Sequence, residues 1–510
     1  MTGIAVQALE TSDETIFDFI NRRAMETPQA IYLVDPETGE TTTFEMLKEQ
    51  ARSVASNIYA NGVQPGESVA YALTNSPKSA IIILGIFYGG FLATAINLVA
   101  GKDVITYVVG HSDAKLILTD EKGEAVTREV LSDLKNKPPV IVPNGAFFNM
   151  AGNDFEHPRK KETDGLLMYT SGTTGQPKGV VLTHGNLIAG GRNTADAHRL
   201  TVDDRGLCIL PLYHINGLCV SVLGALVSGG GLVIPPKFSV STFWPLIEEE
   251  ECTWFSVVPT QVSYLLHNEA SHPSLTSLKK LRFCRSASAP LSPEVQTAFE
   301  TRFGIPVVET MGLTETAAQI LSNPLPPGIR KIGSPGIAFG NEIRIGDAQQ
   351  RELPCGEEGE VLVRGPNVMR LYLKNETATS EAITSEGWLC TGDLGRMDAD
   401  GYIYITGRLK ELIIKGGENI APREIDEALY AHPDVIEAAA FSKKCDRYGE
   451  AVEAAVMLCE GSDVTEAALI EMCKSRVGAF KTPDRIHFLP ELPKGPSGKI
   501  QRIKLAGLLG

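Results

Sequence analysis

The sequence predicts an α/β protein that has a large N-terminal domain of several subdomains, with parallel-rich sheets flanked by helices, and a small α+β C-terminal domain. Helical patterns alternate with short apolar runs from about residue 14 to 400, which is typical of parallel sheets covered by helices. About 100 residues of mixed pattern follow. The chain has 510 residues, more than one ordinary core contains, so we expect at least two domains.

The N-terminal elements follow from hydrophobic periodicity. We predict a helix over residues 44–61 and buried strands over 68–73, 115–118, 139–142 and 165–168. Two uncharged stretches, 79–101 and 206–236, are long enough to test as membrane spans. Both contain glycine clusters and polar residues that would leave backbone groups unsatisfied in lipid. We therefore predict no membrane insertion, and read the first stretch as a buried helix, a turn and a strand.

The domain boundary is predicted near residue 407. Residues 398–407 read as a turn and a strand, and the charged segment 408–411 follows. The predicted domains are 1–407 and 408–510, with a hinge at 408–411. In the second domain, residues 422–431 and 464–476 have helical patterns, and residues 435–441 and 452–458 read as strands.

Composition restricts partners and compartment. A net charge of −15 argues against nucleic acid or an anionic membrane surface as the partner. The nine cysteines are scattered without Cys-x-x-Cys spacing, which fits free thiols in a reducing cytosol rather than zinc ligands or a disulfide framework. The N-terminal residues do not resemble a secretory signal, and the last residues do not resemble a peroxisomal one. We expect a cytoplasmic monomer or homodimer.

Residues 169–179, Tyr-Thr-Ser-Gly-Thr-Thr-Gly-Gln-Pro-Lys-Gly, form a loop rich in glycine and hydroxyl groups after an apolar strand. Such a loop directs backbone N–H groups and hydroxyls at an anion, and Lys178 adds a mobile charge, so a nucleotide triphosphate is the predicted ligand. The spacing differs from the P-loop of NTPases. Composition alone leaves open an ordinary flexible surface loop.

The order of this loop resembles the signature of the adenylate-forming enzymes, which include acyl-CoA synthetases. Six further blocks follow in that family's order: Leu210–His214, Met311–Glu315, Gly387–Asp393, Gly407–Lys410, Lys415–Pro422 and Pro496–Lys499. The resemblance implies the substrates ATP and coenzyme A, the cofactor Mg²⁺, and a mobile C-terminal lid that takes one orientation for each half-reaction. The first half-reaction makes an acyl adenylate and pyrophosphate, and the second transfers the acyl group to CoA.

The same resemblance assigns roles to residues. The catalytic set is Thr170, Lys178, His214, Glu315 and Lys499, with Glu315 as the magnesium ligand. Residues expected to bind ATP or CoA are Ser171, Gly172, Thr173, Thr174, Gly175, Ser288, Ala289, Pro290, Met311, Gly312, Thr314, Asp393, Arg408, Lys415, Gly416 and Gly417. Lys410 matches the hinge. Without the other blocks, each of these residues has an ordinary structural interpretation: Glu315 as a residue at a helix N-terminus, Asp393 as a turn residue and Lys499 as a solvated lysine.

Between residues 238 and 316 the sequence resembles one branch of this family, the oxalate:CoA ligases. We expect a small polar acid pocket that includes His214, Asn216, Arg285, Ser286, Ser288 and Ala318, although the serines are equally typical of packing residues. Oxalate ligases typically have histidines at the positions of Asn216 and Ala318. The chain is therefore predicted to prefer an acid larger than oxalate with a polar or anionic tail, such as sulfoacetate or a malonate- or succinate-like acid. Met311 stands where the family usually has tyrosine beside adenine, and its thioether can pack on the ring.

Three alternatives stay open on the sequence alone. The chain could be a ligase for medium-chain or aromatic acids, an adenylation enzyme that loads a carrier protein, or a non-enzymatic nucleotide-binding protein. The last would not need Lys178, Glu315 and Lys499 together, and all three are present.

Overall fold

The computed structural model describes residues 13–132, 134, 137–150, 160–170, 176–268, 278–445, 447–495 and 498–509. Two large sheets of mainly parallel strands dominate the N-terminal region. This arrangement confirms the predicted α/β class. No helix among these residues is long and apolar enough to cross a membrane.

The nine-stranded sheet has six parallel strands at its centre, from Val307–Leu313 to Ile31–Val34. Its strands lie in the order Ile337–Ala338, Ala318–Ser322, Val307–Leu313, Phe283–Ser286, Trp254–Val257, Arg205–Cys208, Gly231–Val233, Ile31–Val34 and Thr41–Thr43.

The seven-stranded sheet has five parallel strands, from Asp164–Thr170 to Val140–Ile141. Its order is Leu371–Tyr372, Lys178–Thr183, Asp164–Thr170, Leu92–Ala95, Ser68–Ala72, Leu116–Thr119 and Val140–Ile141. A four-stranded antiparallel sheet follows, formed by Glu342–Gly346, Glu358–Arg364, Leu389–Met397 and Ile403–Arg408.

Helices cover these sheets: Ile16–Glu26, Phe44–Ala60, Pro77–Tyr88, Lys102–His111, Glu121–Leu131, Gly145–Phe148, His184–Ala197, Gly224–Ser228, Val240–Glu249, Pro259–His267, Pro293–Phe303 and Glu376–Ala382, with a π-helix at Asn216–Leu223 and a 3₁₀ turn at Thr314–Thr316. Helix Pro77–Tyr88 is buried on almost every side, as predicted for the first apolar stretch. It packs on helix Phe44–Ala60 so closely that a Cβ atom at Gly85 would lie 2.5 Å from Val54 Cγ1.

The C-terminal region has its own sheet and core. Strands Glu418–Ile420, Ile413–Lys415, Gly449–Leu458 and Val435–Cys445 are antiparallel, and Arg485–Phe488 runs parallel to Gly449–Leu458. Helices Pro422–Tyr430, Glu466–Lys481 and Arg502–Leu509 accompany them. Strand Ile403–Arg408 belongs to the four-stranded sheet and strand Ile413–Lys415 to this one, so the chain changes sheets across the predicted hinge. The exact boundary at residue 407 remains a prediction.

Candidate active site

A cavity lies between the large sheets and the C-terminal region. Its wall includes residues from five separate sequence blocks, namely Ser288, Ala289, Pro290, Met311, Gly312, Asp393, Arg408 and Lys499. Further charged side chains on this wall are Glu309, Glu411 and the C-terminal residues Arg423, Asp426, Glu427 and Arg502. The structure thus brings together residues that lie more than 200 positions apart in the sequence, such as Ser288 and Lys499.

The inner wall is built at the ends of two neighbouring parallel strands, Phe283–Ser286 and Val307–Leu313. The carboxyl ends of parallel strands commonly form ligand sites, because the chain leaves the sheet there. Ser288 has a left-handed backbone with φ 75°. At Gly312 a Cβ atom would lie 1.9 Å from the Ala318 carbonyl oxygen, so only glycine fits there. Both features bring backbone close to the cavity.

Asp393 and Arg408 face each other from paired strands of the four-stranded sheet. Asp393 is buried, and Arg408 Nε donates to its Oδ1 at 2.5 Å. Lys499 Nζ lies 4.0 Å from Glu411 Oε1, which is also within 4.0 Å of Arg408 Nη1. Burial and the neighbouring Arg408 charge lower the pKa of Lys499. Arg408 and Lys499 therefore place two cationic side chains at the cavity, beside the carboxylates of Asp393 and Glu411. Cationic donors of this kind bind phosphate groups.

A second cluster joins Lys178, Glu315 and Tyr372. The Tyr372 hydroxyl donates to Glu315 Oε1 at 2.9 Å, and Lys178 Nζ lies 4.8 Å from the centre of the Tyr372 ring. Burial and the Glu315 carboxylate raise the pKa of Tyr372 above its usual range, so the phenol stays protonated. Thr170 pairs with Lys178 across adjacent strands. Thr314 opens the 3₁₀ turn that presents Glu315.

The loop residues Ser171, Gly172, Thr173, Thr174 and Gly175 lie outside the described residues. The strands that enter and leave this loop, Asp164–Thr170 and Lys178–Thr183, are antiparallel neighbours in the seven-stranded sheet. The predicted phosphate loop is therefore the connection of a hairpin whose ends carry Thr170 and Lys178.

Glu315 fits the single-carboxylate site that Mg²⁺ uses beside phosphate oxygens. Mg²⁺ keeps several waters and often binds one or two carboxylates together with substrate phosphates. Among the described residues no group of three or more His, Cys, Asp or Glu side chains is placed to hold a metal by itself. When ATP is bound, Glu315 would hold the ion that neutralises charge on its phosphates.

A buried polar network lies behind the cavity wall, centred on Arg285. Its guanidinium donates to Asn216 Oδ1 at 2.9 Å, to Ser256 Oγ at 3.1 Å and to Gln319 Oε1 at 3.3 Å. Asn216 Nδ2 donates in turn to Ser288 Oγ at 3.2 Å, and Ser288 lines the cavity. Burial lowers the pKa of Arg285 to about 9, so the group still carries its charge at neutral pH.

The remaining residues of the predicted acid pocket, His214, Ser286 and Ala318, lie within two positions of members of this network in the sequence. Ser286 is fully buried, and Ala318 is buried with a left-handed backbone at φ 82°. The His214 ring lies against Tyr213, and burial lowers the pKa of His214 to about 4, so the imidazole is neutral at physiological pH. Its buried Nε2 has no hydrogen-bond partner within the described part of the chain. Of the six predicted pocket residues, only Ser288 lines the cavity itself.

The predicted hinge and CoA residues lie elsewhere. Lys410 is exposed in the turn between strands Ile403–Arg408 and Ile413–Lys415. Lys415 Nζ lies 3.5 Å from Asp484 Oδ1, and Gly416 and Gly417 form a hairpin turn with φ of 62° and 88°. None of these four residues belongs to the cavity wall. The structure therefore presents Lys499 at the cavity, rather than Lys415.

Several residues that contact these side chains were not predicted as members of the site. Tyr372, Ser256 and Gln319 were not predicted as site residues, although each contacts a predicted residue. Glu411 was predicted only as part of the hinge, and it lies 4.0 Å from Lys499. Gln319 directly follows Ala318, the position where oxalate ligases typically have histidine, so the sequence had already drawn attention to this segment. Tyr372 reaches Glu315 through the pairing of strand Leu371–Tyr372 with Lys178–Thr183, and Ser256 lies on the strand beside that of Arg285.

Comparison with known proteins places this geometry in a family. The model of the AMP-binding enzyme family matches residues 20–373, and the model of the AMP-binding enzyme C-terminal domain matches residues 424–499. A sulfoacetate–CoA ligase of Cupriavidus necator is 45% identical over 499 residues, which cover 96% of this chain and 97% of the relative. An oxalate–CoA ligase of Arabidopsis thaliana is 37% identical and covers 85% and 87% of the two chains.

Solved structures agree with the sequence relatives. ATP-bound MatB from Rhodopseudomonas palustris superimposes with a TM-score of 0.88 at 28% identity, covering 97% of this chain and 99% of that one. The o-succinylbenzoate CoA synthetase of Bacillus subtilis, in complex with its acyl-adenylate intermediate, gives a TM-score of 0.84 at 29% identity, with 97% and 98% covered. Both the fold and the matched domains lead to the same conclusion: this chain belongs to the AMP-binding enzyme family.

Proposed function

We propose that the acid activated by this ATP-dependent acid:CoA ligase is short and carries an anionic group on its tail, with sulfoacetate as the first candidate. The ligase class agrees with the named activities of its relatives, and the acid proposed is the one in the name of the 45% identical relative. Malonate- or succinate-like acids and oxalate belong to the same chemical class and form the comparison set.

The observation that carries this proposal is the buried Arg285 guanidinium. All of its hydrogen-bond partners, Asn216, Ser256 and Gln319, are neutral. Within the described residues no carboxylate forms an ion pair with it. A buried charge without a counter-charge is costly. A substrate that brings a sulfonate or second carboxylate to the Asn216–Ser288 side of the network would supply the missing charge.

The departures from oxalate ligases support a longer acid. Ala318 is smaller than the histidine that the resemblance leads one to expect there, and Asn216 directs its amide to Ser288 at the cavity wall. Both changes leave room for a spacer between the reacting carboxylate and the anionic tail. A long alkyl chain has no place beside a charged guanidinium, because it would leave that charge unpaired.

We propose the following division of labour for adenylation. Attack of a carboxylate on the α-phosphate brings two anions together, so positioning and charge neutralisation supply most of the catalysis. Lys499 would neutralise the α-phosphate and the attacking carboxylate, and Lys178 the outer phosphates. Asp393 would accept hydrogen bonds from the ribose hydroxyls, as an ionised carboxylate does well. Arg408, which already pairs with Asp393, would hold that carboxylate in place.

The second half-reaction requires a different face of the C-terminal domain. We propose that rotation about Lys410 withdraws Lys499 and brings Lys415, Gly416 and Gly417 to the acyl adenylate. Glycines allow a pantetheine chain to pass close to the backbone. The CoA thiol then attacks the acyl carbonyl carbon, the acyl–phosphate bond breaks, AMP leaves, and the thiol proton passes to solvent.

We further propose that the enzyme acts in the cytosol as a monomer or homodimer, with no nucleic acid or membrane partner. All nine cysteines are free thiols, which fits a reducing compartment. The net charge of −15 disfavours polyanionic partners.

The experiment measures acid-dependent pyrophosphate release with and without CoA, together with acyl-CoA formation by mass spectrometry. Sulfoacetate with ATP and Mg²⁺ is expected to give pyrophosphate, and added CoA is expected to give sulfoacetyl-CoA. Pyrophosphate release without any thioester would indicate a carrier-loading enzyme. No release with any acid would indicate a nucleotide-binding protein and would refute the proposal.

A further inference from the structure

The helix Pro259–His267 presents one face to the C-terminal domain. Thr260, Tyr264 and His267 are spaced four and three residues apart, which places them on the same side of the helix. Thr260 Oγ1 donates to the Gly498 carbonyl oxygen at 3.4 Å, and His267 Nε2 lies 3.3 Å from the Pro433 carbonyl oxygen. This face therefore contacts the C-terminal domain at two separate points, one of them next to Lys499.

Tyr264 makes the central contact of this face. Its hydroxyl donates to Glu437 Oε1 at 3.0 Å and accepts from Lys494 Nζ at 2.6 Å. Lys494 and Glu437 also form an ion pair at 2.9 Å, in which Glu437 is fully buried. Both charged residues belong to the C-terminal domain. Rotation of that domain would remove Tyr264 from the pair but would leave the Lys494–Glu437 ion pair intact.

Lys494 stands at the base of the turn that carries Lys499. Lys494 pairs with Ile500 in an isolated antiparallel bridge. Within the turn the Gly495 N–H donates to the Lys499 carbonyl oxygen at 2.7 Å, and the Gly498 N–H donates to the Gly495 carbonyl oxygen at 2.9 Å. The bridge and these two hydrogen bonds join Lys494 and Lys499 within one turn. The place of Lys499 in the cavity is therefore tied to the contact between Lys494 and Tyr264.

We propose that Tyr264 is a positioning residue for adenylation, which fixes Lys499 in the cavity by docking the base of its turn. This inference rests on the proposed adenylation role of Lys499. It goes beyond that role because it identifies what holds the C-terminal domain in the orientation that presents this lysine. Tyr264 is not part of the cavity wall, so it would act through its contacts with Lys494 and Glu437.

The test is Tyr264→Phe, which keeps the ring and removes the hydroxyl. Loss of a hydrogen bond to charged groups at a buried contact is expected to slow adenylation about five- to twentyfold, measured as acid-dependent exchange of labelled pyrophosphate into ATP. Transfer from preformed acyl adenylate to CoA is expected to keep at least its wild-type rate, because that step uses the other orientation. The transfer assay also verifies that the variant is folded.

Two further variants sharpen the result. Thr260→Val removes the hydrogen bond to the Gly498 carbonyl oxygen and is expected to slow adenylation about two- to fivefold, less than Tyr264→Phe does. Tyr59→Phe removes the same hydroxyl from an exposed position on helix Phe44–Ala60 and should leave both half-reactions unchanged. Unchanged adenylation in Tyr264→Phe, or equal loss in both half-reactions, would overturn the inference. Failure of the wild-type enzyme to form acyl-CoA would instead refute the proposed function, and is measured separately.

Discussion

Replacement of Arg285 by glutamine tests the source of acid selectivity. The side chain is 2% exposed and its hydrogen-bond partners are neutral, so its positive charge can stabilise an anion that reaches the network. At an effective dielectric constant of about 20, a unit charge about 5 Å from the guanidinium is stabilised by about 3 kcal/mol. Arg285→Gln should therefore lower kcat/KM for sulfoacetate by about a hundredfold, since about 1.4 kcal/mol corresponds to a factor of ten.

The comparison acid is propionate, which has a similar length and no charge on its tail. Its kcat/KM should change by less than about threefold in Arg285→Gln, because the lost interaction acts only on the anionic tail. Arg351→Gln is the matched control, since the Arg351 side chain is 75% exposed and pairs locally with Asp347. Coupled pyrophosphate release measures kcat/KM for both acids with the wild type and with each of the two variants. Equal losses for sulfoacetate and propionate would show that Arg285 is structural, and the reasoning would be refuted.

The other predictions concern four cavity and network residues. Lys499→Ala should slow adenylation at least about a hundredfold yet leave transfer from preformed acyl adenylate within about threefold, and equal losses in the two assays would contradict a rotating domain. Tyr372→Phe should raise the Mg²⁺ concentration needed for half-maximal pyrophosphate release about tenfold, because the carboxylate of Glu315 loses the donor that orients it; an unchanged Mg²⁺ titration would count against that role. Ala318→His should raise the ratio of kcat/KM for oxalate over sulfoacetate about tenfold by narrowing the pocket, and a constant ratio would remove Ala318 from the acid site. Burial raises the pKa of Glu309 to about 7, so the folded protein keeps a proton that the unfolded chain releases at lower pH, and the wild type loses stability as pH rises through 7. The free energy of unfolding of Glu309→Gln, measured by thermal unfolding, should therefore gain up to about 3 kcal/mol relative to that of the wild type between pH 5 and 8. A pH-independent difference would contradict this.

Much of the fold followed from periodicity in the sequence. The apolar stretch 79–101 was predicted as a buried helix, a turn and a strand, and the structure has helix Pro77–Tyr88 and strand Leu92–Ala95 there. In the C-terminal region the helix predicted over 464–476 continues to Lys481, past a non-helical Gly478. Periodicity identifies which face is buried, but it does not determine which strands become neighbours, because that choice depends on packing between distant segments.

The candidate site was also predicted only in part from the sequence. Ser288, Met311, Asp393 and Lys499 were predicted from separate motifs, and the structure places all of them on one cavity wall. Their roles remain predictions. Tyr372 has no recognisable motif of its own, since it meets Glu315 only because the short strand Leu371–Tyr372 pairs beside Lys178–Thr183. Contacts that depend on register between distant strands leave no local signal in a single sequence.

The network around Arg285 shows a further limit of sequence reasoning. Arg285 was predicted as a residue of the acid pocket, but the sequence did not indicate that its hydrogen-bond partners would be neutral. That property depends on Ser256 and Gln319, which come from two other strands of the nine-stranded sheet. The strand of Ser256 is a direct neighbour of the strand of Arg285, whereas the strand of Gln319 lies two places away, beyond Val307–Leu313.

The central claim is that this ligase activates a short anionic acid, and a panel of acids tests it most directly. Purified enzyme would be assayed with ATP, Mg²⁺ and CoA against sulfoacetate, malonate, succinate, oxalate, propionate, benzoate and octanoate, with kcat/KM taken from coupled pyrophosphate release. We predict the highest kcat/KM for one of the acids with an anionic tail, with sulfoacetate first. Faster turnover of octanoate or benzoate than of every short anionic acid would contradict the account.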